Sequence, residues 1–245
     1  MSGHSKWANI QHKKGANDKK RASIFTKIIR ELTVAAKEGG TNPDGNPRLR
    51  MAIIKARAAN MPKDTMKKAI DKGAGGADGA NYEEFTYEGY ATEGVAILME
   101  IMTDNRNRTS SDVKSTLSKN GGNLGANGCV SYIFHKKGVL VFEKSVISED
   151  DAMAIAIDAG AEDVMSEDDS VVVYTSQEEF ENVLKAFDDK GITHISAEVT
   201  MVPDTYQEVS ADRVDKILAL IEKLEEFDDV QAVYTNLKIP EDYQG

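Results

Sequence analysis

Charge is divided unevenly between two parts of this 245-residue chain. Residues 1–76 contain 17 Lys and Arg against 6 Asp and Glu, a net charge of +11, whereas the remainder contains 13 against 35, a net charge of −22. This asymmetry is typical of a polyanion-binding module joined to acidic domains. The alternative is a basic helical bundle that packs against an acidic neighbour. Because Trp7, His4 and His12 accompany the basic residues, we favour the first interpretation.

Length and composition predict a soluble protein of two or three compact domains. The chain is 40% hydrophobic and 29% charged, without an apolar run long enough for a membrane helix or a signal peptide. A single cysteine, Cys129, excludes an intramolecular disulfide and fits a reducing compartment. We therefore expect a cytoplasmic monomer that does not contact a membrane.

The basic part is predicted to be an extended arm, residues 1–17, followed by three short amphipathic helices. The first helix ends at Gly39-Gly40, the second begins with the cap and first-turn proline of Asn46-Pro47, and the third begins near Pro62. A Gly- and Ala-rich linker follows at Gly73 to Gly79. The basic residues expected on the outer faces of the helices are Lys19, Lys27, Arg30, Lys37, Arg48, Arg50, Lys55, Arg57, Lys63, Lys67, Lys68 and Lys72.

Strand patterns begin after the linker. Phe85 and Tyr87, the apolar run 95–102, a helix capped at Thr103-Asp104-Asn105 and a strand carrying Val130, Tyr132 and Phe134 predict β-β-α-β. That order lacks one helix and one strand of a compact sandwich.

Residues 136–203 are predicted to have the order β-α-β-β-α-β of a ferredoxin-like sandwich. They contain 5 basic and 16 acidic residues. A helix and a strand follow and would complete the middle domain. We therefore predict an α+β multidomain fold: an N-terminal three-helix basic domain, then two α/β (ferredoxin-like) sandwich domains, one inserted into the other. The domains expected are 1–78, 79–135 joined to 204–245, and the acidic insertion 136–203.

No pattern of catalytic residues is visible. The four histidines have no metal-ligand spacing with one another or with Cys129, and a lone cysteine is far more often a packing residue than a nucleophile. Gly121 to Gly125 follows a helix and precedes a strand, the reverse of a phosphate-binding glycine loop, so it is interpreted as a turn. We expect no catalysis, no metal and no cofactor.

Arg106 and Arg108 are the strongest candidate site outside the basic part. They are the only arginines between Arg57 and Arg213, and they lie at a predicted helix start, where backbone N–H groups favour an anion. The equally weighted alternative is that they form ion pairs with Asp or Glu across a domain interface.

The basic arm and helices are expected to bind a nucleic-acid backbone through Lys and Arg. Trp7 either stacks on an exposed base or holds the arm against the bundle as a hydrophobic plug. The complete set of predicted nucleic-acid-binding residues is Lys6, Trp7, His12, Lys13, Lys14, Lys19, Lys20, Lys27, Arg30, Arg48, Arg50, Arg106 and Arg108.

Seven short motifs occur in order along the chain. They are Gly3 to Trp7, Phe25 to Leu32, Asn46 to Arg50, Asn60 to Pro62, Tyr87 to Tyr90, Asp104 to Thr109 and Gly121 to Gly125. As an ordered set they resemble the YebC/PmpR family. The resemblance implies a three-domain cytoplasmic protein and, from the family description, a transcriptional regulator that binds DNA. Mitochondrial relatives are translational activators, and bacterial members are linked to ribosomes stalled on proline runs.

Two functions from this resemblance remain open. The first is a non-catalytic DNA-binding transcriptional regulator; the alternative is a translation factor that binds rRNA or tRNA on the ribosome and relieves stalled elongation. The sequence does not decide between DNA and RNA, because Lys and Arg bind phosphates in both. An enzyme or small-ligand sensor would be a third class, but no group of residues supports it.

Overall fold

Three helices form the basic part of the structure. The computed structural model describes residues 18–75, 81–167, 169–240 and 243, with the backbone alone for 18–21. Helices α1 (Asp18–Gly39), α2 (Pro47–Ala58) and α3 (Lys63–Ala74) bury one shared apolar core. The three-helix N-terminal region predicted from the sequence is therefore confirmed.

Asn46 joins the end of α1 to the start of α2. Its side-chain oxygen accepts a hydrogen bond from the backbone N–H of Leu49 at 3.0 Å, which caps α2. Its amide nitrogen donates to the carbonyl oxygens of Ala35 at 2.7 Å and Gly40 at 2.8 Å. The cap expected at Asn46-Pro47 is confirmed, and this one buried amide also fixes the angle between the two helices.

The rest of the described chain is a mixture of strands and helices. Short 3₁₀ turns lie at Thr92–Gly94 and Ser131–Ile133. In chain order the elements are β1 (Glu83–Tyr90), β2 (Ala96–Thr103), α4 (Arg106–Lys119), β3 (Asn123–Leu124), β4 (Phe134–Glu143), α5 (Glu149–Asp158), β5 (Asp163–Glu167), β6 (Ser170–Thr175), α6 (Phe180–Asp188), β7 (Ser196–Pro203), β8 (Gln207–Glu208), α7 (Ala211–Glu225), β9 (Val230–Thr235) and β10 (Leu237–Lys238).

Eight of these strands form two four-stranded sheets that are interleaved along the chain, and β8 pairs in parallel with β10. The first sheet has the order β3-β1-β2-β9, and helices α4 and α7 share its core. The second has the order β5-β6-β4-β7, which is the ferredoxin-like arrangement with the first and third strands of the unit in the centre. Because β9 returns to the first sheet after the second is complete, the insertion expected from the sequence is confirmed. The domain boundaries themselves remain a prediction.

The strand predicted around Val130, Tyr132 and Phe134 is wrong. Residues Ser131–Ile133 form a 3₁₀ turn, and Phe134 begins β4 of the second sheet. The backbone N–H groups of Val130 and Ser131 donate to the carboxylate of Glu88 at 2.8 Å each, so they do not form a strand ladder. The edge strand of the first sheet is instead the short β3, within the segment interpreted as a turn.

Candidate nucleic-acid interface

The predicted arm residues Lys6, Trp7, His12, Lys13 and Lys14 lie outside the described residues. Lys19 and Lys20 lie in the first turn of α1, where only the backbone is described. The role of these seven residues therefore stays a prediction.

Lys27 and Arg30 point from α1 towards the end of α7. The ammonium of Lys27 donates to the carbonyl oxygen of Glu225 at 2.6 Å. The guanidinium of Arg30 donates to the carbonyl oxygens of Asp228 at 2.9 Å and Met102 at 3.0 Å. Helix C-termini leave carbonyl groups unpaired and carry partial negative charge, so cations are stabilising there. Burial lowers the pKa of Lys27, partly offset by Glu225 and Asp228. Both residues join the N-terminal helices to the first sheet.

Asp229 collects the side chains that meet at this junction. Its carboxylate accepts from Arg30 at 2.6 Å, from Arg108 at 2.7 Å and from the hydroxyl of Thr109 at 2.8 Å. Burial raises the pKa of Asp229, but these hydrogen bonds together outweigh it and hold the pKa below its ordinary value. One buried carboxylate thus links α1, the start of α4 and the start of β9.

Arg48 is surrounded by carboxylates. It contacts Glu31 at 2.8 Å, Glu38 at 2.7 Å and Glu84 at 2.5 Å, and Glu84 belongs to β1. The hydrogen bond to Glu31 is the main reason that its pKa is raised. Arg50 donates to the carbonyl oxygen of Pro43 at 3.4 Å. Three acidic neighbours compensate the charge of Arg48, which leaves little of it for a phosphate.

Arg106 and Arg108 have different surroundings although they are two residues apart. Arg108 bonds Asp229 and also Asp104 at 2.8 Å, and its pKa is raised mainly by the bond to Asp229. Arg108 is therefore ion-paired as in the alternative, but with carboxylates of its own sheet region and not across a domain interface. The guanidinium of Arg106 lies 4.4 Å from the centre of the Phe85 ring and is exposed. Both arginines are exposed, but of the two only Arg106 lacks a carboxylate partner among the described residues.

Exposed basic residues that lack an acidic partner among the described residues occur together on α2 and α3. On α3, buried Met66, Ala69 and Gly73 mark the inner face, and at about 100° per residue the four lysines fall on the opposite side. Asp64 and Asp71 share that side, so its net charge is positive but not purely basic. The helical spacing of the lysines was the signal for this group, which the predicted site omitted. We call Arg57, Lys63, Lys67, Lys68 and Lys72 the exposed cations.

The described part of the chain shows no arrangement suited to metal binding: no group of three or more His, Cys, Asp or Glu is placed to hold an ion. Burial raises the pKa of the Cys129 thiol, which makes it a poor nucleophile. Among the described helices none has the length and apolar character required to cross a membrane.

The fold and these contacts define an α+β protein in which a basic three-helix region is joined to two acidic sandwich domains. Residues 5–76 match the family model for the N-terminal domain of TACO1/YebC proteins, and residues 82–237 match the model for the second and third domains of that family. The chain therefore belongs to the TACO1/YebC family.

Relatives and a solved structure agree with this assignment. A "Probable transcriptional regulatory protein" of Treponema denticola is 53% identical over 244 residues, covering 100% of this chain and 99% of the relative. One of the same name from Clostridium tetani is 52% identical, covering 100% of both. The crystal structure of a conserved hypothetical protein from Aquifex aeolicus has a TM-score of 0.81 and 44% identity, covering 95% of this chain and 96% of that one. A regulatory role is thus the function that the family supports.

Proposed function

We propose that this chain is a non-catalytic, nucleic-acid-binding regulator of gene expression, acting as a DNA-binding transcriptional regulator in the cytoplasm. The observation that carries the proposal is the group of exposed cations on α2 and α3, which have no acidic partner among the described residues. The names of the relatives support the transcriptional form.

Phosphate backbones are the ligand that this surface fits. Lys63 and Lys72 are separated by about 14 Å along α3. Duplex DNA carries one negative charge per about 1.7 Å of axis, so a segment of that length presents about eight charges. Lysine is a flexible point charge that binds phosphate without requiring a fixed orientation. The surface is therefore suited to hold a backbone, whereas sequence preference would have to come from other residues.

The second candidate is a translation factor that binds rRNA or tRNA on the ribosome. Lysines bind phosphate in RNA and DNA alike, so the exposed cations fit both candidates. The exposed ring of Tyr132 favours the RNA form, because stacking on unpaired bases is common in RNA recognition. Co-sedimentation with ribosomes, with DNA added as a competitor, separates the two: ribosome binding that DNA does not displace would support the alternative.

The proposal is tested with a matched pair of triple variants. Lys67→Ala, Lys68→Ala and Lys72→Ala remove three exposed cations, and Lys144→Ala, Lys185→Ala and Lys190→Ala remove three exposed lysines of the acidic insertion. Each phosphate contact contributes about 0.9 to the slope of log affinity against log salt on duplex DNA. The first variant should lower that slope by about 2–3 and the second should leave it unchanged. Equal slopes for both would overturn the proposed interface.

A further inference from the structure

Tyr132 is the most exposed large hydrophobic side chain among the described residues. Its exposed fraction is 72%, compared with 62% for Ile157, the next highest. It lies in the 3₁₀ turn between β3 and β4, where the chain passes from the first sheet to the second. Large aromatic rings stabilise proteins when they are buried, so a ring in this position contributes little to the fold.

Hydrogen bonds with side chains of β1 fix the backbone of the turn that carries Tyr132. The buried carboxylate of Glu88 accepts hydrogen bonds from the backbone N–H groups of Gly128 at 2.7 Å and of Val130 and Ser131 at 2.8 Å each. The hydroxyl of Tyr90 donates to the carbonyl oxygen of Cys129 at 3.0 Å. Burial alone would raise the pKa of Glu88. The backbone hydrogen bonds outweigh burial and hold the pKa below its ordinary value, so the carboxylate stays ionised. The ring of Tyr132 is thus presented from a preorganised backbone, which reduces the entropy lost on binding.

The charge pattern around Tyr132 differs from that of the rest of the acidic part. Residues 113–142 contain no Asp or Glu, although 35 acidic residues occur after residue 76. The same 30 residues contain Lys114, Lys119, Lys136 and Lys137. Lys137 pairs with Glu162, whereas Lys114, Lys119 and Lys136 are exposed without an acidic partner among the described residues.

The fold brings part of this segment to one end of the first sheet. Asn123, four residues after Lys119, pairs with Tyr90 at the end of β1, and the hydroxyl of Tyr90 reaches the loop just before Tyr132. Lys136 follows Tyr132 by four residues at the start of β4. The exposed ring and the exposed Lys136 therefore lie within four residues of one another. The acidic side chains of Glu88 and Asp204, which contact this segment, are engaged with the backbone of the turn and with His135 respectively.

We propose that Tyr132 stacks on an unpaired nucleic-acid base, with Lys136 beside an adjoining phosphate. This inference rests on the proposed function and specifies its ligand as a single-stranded or looped segment. In a regular duplex the faces of the bases are covered by their neighbours, whereas an unpaired base has a free face for an aromatic ring.

The surroundings of Tyr132 favour a base over a protein partner. A protein hot spot is an aromatic residue enclosed by other contacts that exclude water. The remaining exposed large hydrophobic residues of the described chain lie on other elements than the turn of Tyr132. Those residues are Ile24, Ile54, Val146, Met153 and Ile157.

The test compares Tyr132→Ala with the matched control Tyr132→Phe, which keeps the ring. The probes are a hairpin with a fluorescent adenine analogue in its loop, made as RNA and as DNA, and a fully paired duplex of the same length. Stacking on one base is expected to contribute about tenfold in affinity. Tyr132→Ala should lose about tenfold on the hairpins and nothing on the duplex, and the analogue should be quenched by wild type and Tyr132→Phe only. A stronger effect on the RNA hairpin would identify RNA as the source of the base.

Equal hairpin affinity for wild type and Tyr132→Ala would overturn the inference and leave the proposed function standing. Unchanged melting of both variants, expected for so exposed a side chain, shows that any loss is one of binding. If wild type bound no probe at all, the proposed function itself would fail. The two failures are therefore distinguishable.

Discussion

The N-terminal helices carry two groups of cations that the structure uses differently. Lys27, Arg30 and Arg48, which we call the paired cations, each bond a carbonyl or carboxylate of the first-sheet region. The exposed cations on α2 and α3 have no acidic partner among the described residues. A cation of either group adds the same unit to the net charge of +11 over residues 1–76. Net charge alone therefore overstates the surface that is available to a ligand.

The paired cations fit the interpretation of the charge asymmetry as packing against an acidic neighbour, whereas the exposed cations fit polyanion binding, which stays a prediction. The paired cations make the basic bundle pack against an acidic neighbour, and the exposed cations leave a surface for a polyanion. Buried or half-buried cations lose hydration, so they need fixed partners, whereas exposed lysines remain solvated and can exchange water for phosphate. The paired cations set the orientation of the helices that carry the exposed ones.

The largest expected effect is on Asp229, whose side chain is only 10% exposed. Asp229→Ala leaves Arg30 and Arg108 without their shared carboxylate, which should lower the free energy of unfolding by about 3–5 kcal/mol. Asp228→Ala is the control, since that neighbour is exposed and makes one long side-chain contact with Ser23 at 3.5 Å. Urea unfolding measures both. Similar losses in the two variants would show that the junction does not depend on the buried carboxylate.

The pH dependence of the same pair follows from the lowered pKa of Asp229. A carboxylate with a lowered pKa in the folded state contributes stability that is complete above its ordinary pKa of 3.8 and is lost as the pH falls through the folded value. The stability difference between wild type and Asp229→Ala should therefore be constant above about pH 5 and shrink in stronger acid. A difference that grew on acidification would contradict the assigned ion pairs.

Lys27→Met should have the next largest effect on stability. Methionine keeps the apolar stem but removes the ammonium from the carbonyl of Glu225 at the end of α7. A cation at a partly buried helix C-terminus contributes up to about 2 kcal/mol, so we expect a loss of about 1–2 kcal/mol in thermal unfolding. The salt slope of nucleic-acid binding should not change, because Lys27 already has a partner. A lower slope would move Lys27 back to the binding surface.

Sequence periodicity predicted most of the elements but not the contacts between them. The cap at Asn46 and the inserted sandwich follow from local pattern and element order. The pairing of Arg30 with Asp229 joins residues 199 positions apart, and no local pattern indicates it. The strand expected at Val130 failed for a similar reason: Glu88, 42 positions away, binds its backbone N–H.

The same limit of local patterns applies to the predicted binding residues. Arg30 and Arg48 were selected because helical spacing places them outside the bundle core, and that much is correct for an isolated bundle. In the whole chain the first sheet covers that side, as the contacts of Arg48 with Glu84 and of Arg30 with Met102 show. Lys67 and Lys68 stay exposed. Helical spacing identifies the residues that point away from the bundle core, but it does not show which of them a neighbouring region covers.

Arg48 offers a direct comparison with an exposed lysine. Arg48→Gln breaks contacts with three carboxylates, but at 32% side-chain exposure solvent screens them, so we expect a loss of about 1 kcal/mol. Lys68→Gln should leave the melting temperature unchanged and lower the salt slope by about one contact, or about 0.9. Thermal unfolding and a salt series on both variants test whether Arg48→Gln affects stability and Lys68→Gln affects the salt slope. If Arg48→Gln lowered the slope as much as Lys68→Gln, the distinction between paired and exposed cations would not hold.

The smallest expected effect concerns Arg106, which combines features of both groups. Its guanidinium lies over Phe85, an exposed cation–π contact that contributes about 0.5–1 kcal/mol, so Arg106→Gln should hardly change the melting temperature. Because Arg106 has no acidic partner among the described residues, it can still bind a phosphate at the start of α4, and its loss should reduce the salt slope by about 0.9.

Arg108→Gln is the control for Arg106, since its partners are Asp104 and Asp229. It should destabilise the fold more than Arg106→Gln and leave binding per folded molecule intact. Melting temperature and salt slope are measured on both single variants. Loss of binding with Arg108→Gln at unchanged stability would mean that a phosphate displaces Asp229 from Arg108 in the complex. Because Asp229 also holds Arg30, that displacement would loosen the N-terminal helices as the ligand binds.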